Sequence, residues 1–251
     1  MSEMLPLFPL GTVLYPGLLL PLHIFEERYR QLVRDLLADG EAPRFGVVAI
    51  REGRETGVSG VSALYPVGCT AVLRQVQKYP DGRYDIVTVG VQRFRLLAVD
   101  ESQPYLRGEV ELLPEEAGDP AAAQLAARAV RPAFSDYLRA LASLAQHDPQ
   151  QAGVTEGAAQ AADERAAGNG GQEEPGDVPS PDLPAAPVAL SYVIAALMVV
   201  DLPDKQALLA EPDAVGRLAA ERAMLAKETG MLRSLTSAPA PELRYSPYSN
   251  N

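Results

Sequence analysis

The alternation of apolar and polar residues divides the chain into a strand-rich first part and a helical second part. Short apolar or alternating segments separated by turn residues predict strands at residues 5–8, 18–24, 44–50, 70–77, 84–94 and 106–113. Residues 79–82, Tyr-Pro-Asp-Gly, predict a turn that joins two antiparallel strands, because proline presets φ and glycine tolerates a positive φ. Several strands connected in this way favour a small barrel or a curled sheet, which removes exposed edges.

One helix is predicted within this first part. Glu26 and Glu27 lie in its first turn, where the helix dipole favours acids, and Gly40 supplies a C-terminal cap. Its apolar stripe has helical spacing and is interpreted as core packing; the residues are Tyr29, Leu32, Val33, Leu36 and Leu37.

From Asp119 onward the pattern predicts helices. Asp119 is the expected N-cap with Pro120 in the first turn, and Pro132 is expected to kink or split this helix. Its stripe is Val130, Phe134, Tyr137, Leu141 and Leu144. A short helix near 204–210 and a longer one from about 213 to 235 follow, the latter with Val215, Leu218, Leu225 and Leu232 on its buried side.

The apolar run at residues 188–200 is 13 residues long, whereas a membrane-spanning helix needs about 20. We therefore expect no membrane span, and instead a helix that must be covered on all sides: partly by the stripes of the other helices, and on its remaining face either by the β-rich domain or, if that face forms a groove, by a partner. Ser191 and Tyr192 are its polar residues, and both need hydrogen-bond partners if they are buried.

Residues 148–182 contain eight acidic residues and one basic residue and no large apolar side chains. Such a segment cannot bury enough apolar surface to order itself, so it is interpreted as a disordered acidic insert. The predicted organisation is a β-rich domain at 1–114, a helical bundle at 119–236 interrupted by the insert at 148–182, and a flexible tail at 237–251.

Composition and net charge limit the classes of function that this protein can have. The 22 Lys and Arg residues against 33 Asp and Glu give a net charge of −11, which argues against a nucleic-acid binder or a protein attracted to anionic membranes. A single cysteine fits a reducing compartment, and the N-terminus lacks the features of a signal peptide. The expectation is a soluble, cytoplasmic protein.

Motifs for common chemistries are missing from the sequence. It has no phosphate-binding GxxxxGK[ST] loop and no HExxH motif. His23 is interpreted as a structural histidine, His147 borders the acidic insert, and Cys69 is interpreted as a small buried apolar residue. The sequence therefore assigns no catalytic, cofactor-binding or metal-binding residues, and a non-enzyme is expected.

Five segments together resemble the N-terminal, substrate-binding domain of Lon proteases. They are LPLFPLGTVLYPGLLLPLHIFEERY at 5–29, VGCTAV at 67–72, DGRY at 81–84 with VGVQRFR at 89–95, and DKQALL at 204–209. The motif residues are expected to have structural roles: Pro9, Pro16, Gly17, Pro21, Glu26, Arg28, Tyr29, Gly68, Gly82, Gly90, Arg93, Phe94, Gln206 and Leu209.

This resemblance implies an α+β fold, with a PUA-like β pseudo-barrel followed by a small helical bundle. It also implies a stand-alone Lon-domain protein, without ATPase or protease domains, that binds apolar or unfolded polypeptides in protein quality control. The candidate contact residues are Leu18, Leu19, Leu20, Leu22 and Tyr15, of which alternate ones face either the core or a surface groove.

Two alternatives to polypeptide binding remain. The PUA-like fold allows a module associated with RNA or nucleotides, in which Arg93 and Arg95 would contact phosphates. The simpler interpretation is that these arginines pair with acids or with carbonyl groups. An enzyme with an unrecognised site would instead show strongly perturbed pKa values in a pocket.

Overall fold

Five strands close into a barrel in this computed structural model, which describes residues 2–38, 43–53, 61–147 and 181–237. The elements are β1 Ser2–Leu10, β2 Leu19–Ile24, α1 Glu27–Ala38, β3 Arg44–Gly53, β4 Val61–Leu64, β5 Val67–Lys78, β6 Tyr84–Asp100, β7 Arg107–Leu112, α2 Pro120–His147, α3 Pro187–Leu197, α4 Leu202–Ala210 and α5 Ala214–Ser237. The strand order β1-β7-β6-β5-β3 is closed by a parallel pairing of β1 with β3. The predicted α+β class and barrel are therefore confirmed.

The first half of β6 extends into a three-stranded sheet. It pairs with β2 on one side and with β5 on the other, both antiparallel. The inner face of this sheet and helix α1 share one apolar core, to which Ile24, Tyr84 and Ile86 contribute from the strands and Leu32 and Leu36 from the helix. The sheet has α1 on one side, and its opposite side carries the residues considered below.

The turn between β5 and β6 confirms the sequence prediction. Gly82 has φ 85°, in the left-handed region that favours glycine, and its backbone N–H donates to the carbonyl of Tyr79 at 3.0 Å. The Asp119 cap is also confirmed, because its carboxylate accepts a hydrogen bond from the N–H of Ala122 at 2.7 Å.

Several sequence predictions need correction. Helix α2 continues through Pro132 and does not split there. Helix α3 ends at Leu197, because Met198 is extended and the β-branched pair Val199–Val200 leads directly into α4. Ala189 and Val199 are exposed, so this segment is not covered on all sides.

Two further features of the first part differ from the prediction. The pattern missed β4, which pairs with β3 outside the barrel circuit. Leu37 is exposed, so the buried stripe of α1 consists of Tyr29, Leu32, Val33 and Leu36. The Gly40 cap, most of the acidic insert and nearly all of the tail lie outside the described residues.

The described residues belong to two compact units. One comprises residues 2–131 and 182–222 and contains all seven described strands; the other comprises residues 132–147, 181 and 223–237. The boundaries cut through α2 and α5, whereas the sequence-based division at 114–119 falls between elements. Independent folding of 1–114 and 119–236 stays a prediction.

Candidate functional site

Arg93 is the centre of a buried polar cluster that holds the helices against the barrel. Its side chain is 2% exposed and its Nε donates to the carboxylate of Glu115 at 3.1 Å. Its two terminal nitrogens donate to carbonyl groups, which belong to Pro114, Leu209, Glu211 and Pro212. This guanidinium is fully used inside the fold and is not available to contact a phosphate at the surface.

A second buried guanidinium, that of Arg217, completes the cluster. It donates to the carbonyl of Leu208 and to Ser191 Oγ, both at 2.9 Å, and lies 4.2 Å from the centre of the Tyr192 ring. The Tyr192 hydroxyl donates to Glu115. The predicted need of Ser191 and Tyr192 for partners is therefore confirmed.

Arg95 differs from Arg93 although both occupy the same strand two residues apart. It is exposed, and its Nη1 lies 3.2 Å from Glu111 Oε2 on β7. The interpretation that both arginines pair with acids or carbonyl groups is confirmed.

Other motif residues from the sequence analysis also have contacts within the fold. Gln206 donates to the carbonyl of Val67 at 2.7 Å, and Glu26 pairs with Arg28 at 3.0 Å. A Cβ on Gly90 would lie 2.3 Å from the carbonyl oxygen of Tyr15, so only glycine fits there. The remaining buried members are Pro9, Tyr29, Gly68, Phe94 and Leu209, while Gly17 has φ 82° beside Pro16.

The candidate contact residues on β2 alternate as predicted. Leu18, Leu20 and Leu22 are partly buried and pack against the apolar core that the sheet shares with α1. Leu19 faces outward and is 53% exposed. Tyr15 is 1% exposed and its hydroxyl donates to the carbonyl of Lys205 at 2.8 Å, which removes it from the side chains that a polypeptide could contact.

The outward-facing residues of β2 form cross-strand pairs with β6. The N–H of Gly90 donates to the carbonyl of Leu18, so these two residues lie at a hydrogen-bonded position of the antiparallel pair. Hydrogen-bonded and non-hydrogen-bonded positions alternate along such a pair, so the outward residues that follow occupy the closely spaced, non-hydrogen-bonded positions. We call this surface the outer sheet face; its pairs are Leu19 with Val89, Pro21 with Val87, and His23 with Asp85.

Pro21 occupies an edge position of this sheet. Among the described strands, β2 pairs with β6 alone. Because Pro21 lies at a non-hydrogen-bonded position of this pair, its backbone nitrogen points away from β6, toward the free edge of the sheet. Because proline has no N–H, the edge lacks a donor at its middle. Side chains, more than backbone groups, therefore determine what this surface offers to a partner.

A small cleft adjoins the outer sheet face where β2 leads into α1. Its volume is about 170 Å³, and its lining is mostly apolar. The lining residues are Phe8, Pro9, Leu10, Leu22, His23, Ile24, Phe25, Glu26 and Tyr29. Phe25 is 54% exposed beside the cleft, and its ring stacks on His23 with centroids 6.2 Å apart. The cleft and the outer sheet face therefore share His23.

Polar groups border the site at the β5–β6 turn. His23 Nδ1 lies 2.6 Å from Asp85 Oδ1, and the Tyr79 hydroxyl donates to Asp85 Oδ2 at 2.5 Å. Hydrogen bonds from Tyr79 and His23 hold the pKa of Asp85 below its usual value, while the same bond to Asp85 raises the pKa of Tyr79.

Five members of this surface were not predicted from the sequence pattern: Phe25, Tyr79, Asp85, Val87 and Val89. Alternation along β2 places Leu19, Pro21 and His23 on one side, but their partners depend on the register of β6, which is a long-range property.

Cys69 is fully buried, as predicted, and burial raises the pKa of its thiol. Within residues 2–38, 43–53, 61–147 and 181–237 there is no group of three or more His, Cys, Asp or Glu side chains placed to hold a metal ion. The helices in that part of the chain are too short or too polar to span a bilayer.

A family model described as the ATP-dependent protease La (LON) substrate-binding domain matches residues 4–227. The chain belongs to this family. Lon protease 2 of Syntrophobacter fumaroxidans is 29% identical over 147 residues, which are 57% of this chain and 18% of that protein. Lon protease of Koribacter versatilis is 36% identical over 115 residues, which are 45% of this chain and 14% of that protein. The chain thus spans less than a fifth of either relative.

Two solved structures share the fold. The Lon N-terminal domain protein from Xanthomonas campestris has a TM-score of 0.54 and 22% identity, covering 89% of this chain and 98% of that one. The N-terminal domain of Mycobacterium avium complex Lon protease has a TM-score of 0.53 and 17% identity, covering 91% and 98%. Both agree with the α+β barrel described above.

Proposed function

We propose that this protein is a non-catalytic recognition module that binds extended apolar segments of polypeptides across the outer sheet face and into the adjoining cleft. The observation that carries the proposal is the set of outward apolar side chains, Leu19 and Pro21 paired with Val89 and Val87, with the exposed Phe25 beyond the polar pair of His23 and Asp85. An apolar surface bordered by polar residues in this way is typical of an interaction site.

The geometry of the site favours an extended segment. The outer sheet face has a two-residue repeat along β2, which matches the alternation of side chains along an extended peptide. The cleft has room for a large apolar side chain at one end of that face. The missing donor at Pro21 disfavours addition of a further strand to the edge, so the side chains provide the contacts.

The family supports the proposal at the level of its description as a substrate-binding domain. Exposed apolar segments occur mainly in unfolded or damaged proteins, so we propose a role in protein quality control in the cytoplasm. Arg93 is buried and Arg95 is paired with Glu111, and this leaves the RNA-binding alternative without its candidate residues.

Fluorescence anisotropy with a labelled, neutral apolar peptide and with an unfolded casein-like protein tests this proposal. The double variant Leu19→Ser/Phe25→Ser should weaken binding at least about tenfold, because each apolar side chain contributes about 1–2 kcal/mol when a partner covers it. The matched control is Leu97→Ser, since Leu97 is 51% exposed on β6 outside the site.

Both variants should keep the wild-type melting temperature, because the altered side chains are exposed. Equal affinities for the wild type, the double variant and the control would contradict the proposed site. Absence of binding at high micromolar peptide would contradict the proposed function itself.

A further inference from the structure

His23 is the one ionisable side chain that belongs both to the outer sheet face and to the cleft. The charged and titratable groups around it come from three places. Asp85 faces it from β6, Tyr79 and Arg83 face it from the β5–β6 turn, and Glu26, paired with Arg28, shares the cleft lining at the start of α1.

The contacts of the imidazole assign its tautomer. Nδ1 lies 2.6 Å from Asp85 Oδ1, and Nε2 lies 3.4 Å from Arg83 Nη1. A carboxylate accepts hydrogen bonds and a guanidinium donates them. The ring therefore carries its proton on Nδ1 and presents the lone pair of Nε2 to Arg83.

A second proton reverses the role of Nε2. The new Nε2–H faces a guanidinium that has no acceptor, so the contact between His23 and Arg83 is lost and Arg83 keeps its carboxylate partner Asp81, 2.7 Å from its Nε. The Nε2–H then depends on water for an acceptor. An apolar segment that covers the ring removes that water and leaves a charged donor unsatisfied.

We propose that His23 is a pH-sensitive switch in the polypeptide site, and that its protonation weakens the binding of neutral apolar segments. This inference rests on the proposed function. Histidine is the side chain that ordinarily gains or loses a charge near physiological pH, which makes it suited to such a switch. A polypeptide segment whose carboxylate can accept a hydrogen bond from the Nε2–H of His23 should not lose affinity in this way.

Anisotropy titrations with the same neutral apolar peptide at pH 8.0 and pH 5.5 test the switch. The wild type should bind about three- to fivefold more weakly at pH 5.5, the size expected for a half-exposed charge. His23→Gln keeps a polar side chain that cannot be protonated, so the three- to fivefold loss attributed to His23 should be absent from its ratio of affinities. This variant also shares every other effect of pH on the protein and the peptide.

Long-range ¹H–¹⁵N spectra of the imidazoles give an independent readout without peptide. The chain has two histidines, so His23→Gln assigns the signals. At pH 8.0 His23 should show the tautomer protonated on Nδ1.

The opposite tautomer, or the same ratio of affinities in the wild type and His23→Gln, would overturn the switch while leaving polypeptide binding intact. Lack of binding by both proteins at pH 8.0 would refute the proposed function, and the switch with it.

Discussion

The burial of Glu221, in the first half of α5, can be tested through the pH dependence of the protein's stability. Its side chain is fully buried, and both carboxylate oxygens lack a hydrogen-bond partner within the described part of the chain. Burial raises the pKa of Glu221 from 4.5 to about 9, although the nearby Arg217 guanidinium acts in the opposite direction. At neutral pH the carboxyl group is therefore protonated in the folded protein and ionised in the unfolded chain.

The sign and size of the effect on stability follow from this difference. The folded pKa lies above the unfolded one, so the contribution of Glu221 is fully present below about pH 4.5 and is lost as the pH rises through about 9. Within that window the free energy of unfolding falls by about 1.4 kcal/mol per pH unit. Between pH 4.5 and pH 7.5 the loss amounts to about 4 kcal/mol.

Glu221→Gln keeps the shape of the neutral carboxyl group and removes its titration. Urea denaturation of both proteins between pH 5.5 and pH 8.5 should show the variant gaining about 1.4 kcal/mol per pH unit relative to the wild type. The buried amide of the variant changes the free energy of unfolding by an amount that does not depend on pH. The quantity to compare is therefore the slope, against pH, of the difference in free energy of unfolding between variant and wild type. All other titratable groups are common to the two proteins, so their effects cancel in the difference.

Glu101→Gln is the matched control, because Glu101 is exposed between β6 and β7 and its stability curve should run parallel to that of the wild type. A difference between Glu221→Gln and the wild type that stays constant from pH 5.5 to pH 8.5 would refute the assignment of a buried neutral carboxyl group.

Three further predictions concern stability and can be measured by urea denaturation at pH 7.5. Arg93→Ala should lose about 3–5 kcal/mol, because it leaves buried carbonyl groups without their donor and removes the ion pair with Glu115, and Arg93→Lys should recover only part of this since lysine lacks the planar fork. Gly90→Ala should lose more than about 2 kcal/mol, because its Cβ would strike the Tyr15 carbonyl. Gly230→Ala, with open space around the added methyl group in α5, should gain about 0.5–1 kcal/mol. Losses below 1 kcal/mol for Arg93→Ala or Gly90→Ala would contradict the packing described here.

Much of the fold could be predicted from the sequence, because the patterns that specify these elements involve residues close together in the chain. The turn at Gly82, the cap at Asp119 and the stripe of α1 each depend on residues within one or two turns of chain. Strand β4 was missed because its four residues are too few to show a period.

The buried polar cluster could not be predicted in the same way. Arg93, Arg217 and Glu115 meet through sequence separations of more than twenty residues, so no local pattern shows that two arginines are buried. Glu221 looks like an ordinary helical surface residue in the sequence, because its burial depends on what packs against α5 rather than on its neighbours along the helix. Tyr15 was misplaced at the surface for the same reason.

Packing does not explain every residue of the segment that resembles the Lon domain, and the exceptions coincide with the proposed polypeptide site. In this segment Leu7, Phe8 and Tyr29 are buried and need no explanation beyond the core. Phe25 belongs to the same motif yet exposes more than half of its side chain, and Pro21 is exposed beside it. An exposed phenylalanine gains little from burial in the monomer, and under the proposed function a partner that covers Phe25 supplies the apolar contact. The Leu19→Ser/Phe25→Ser variant therefore tests whether this part of the motif serves binding rather than folding.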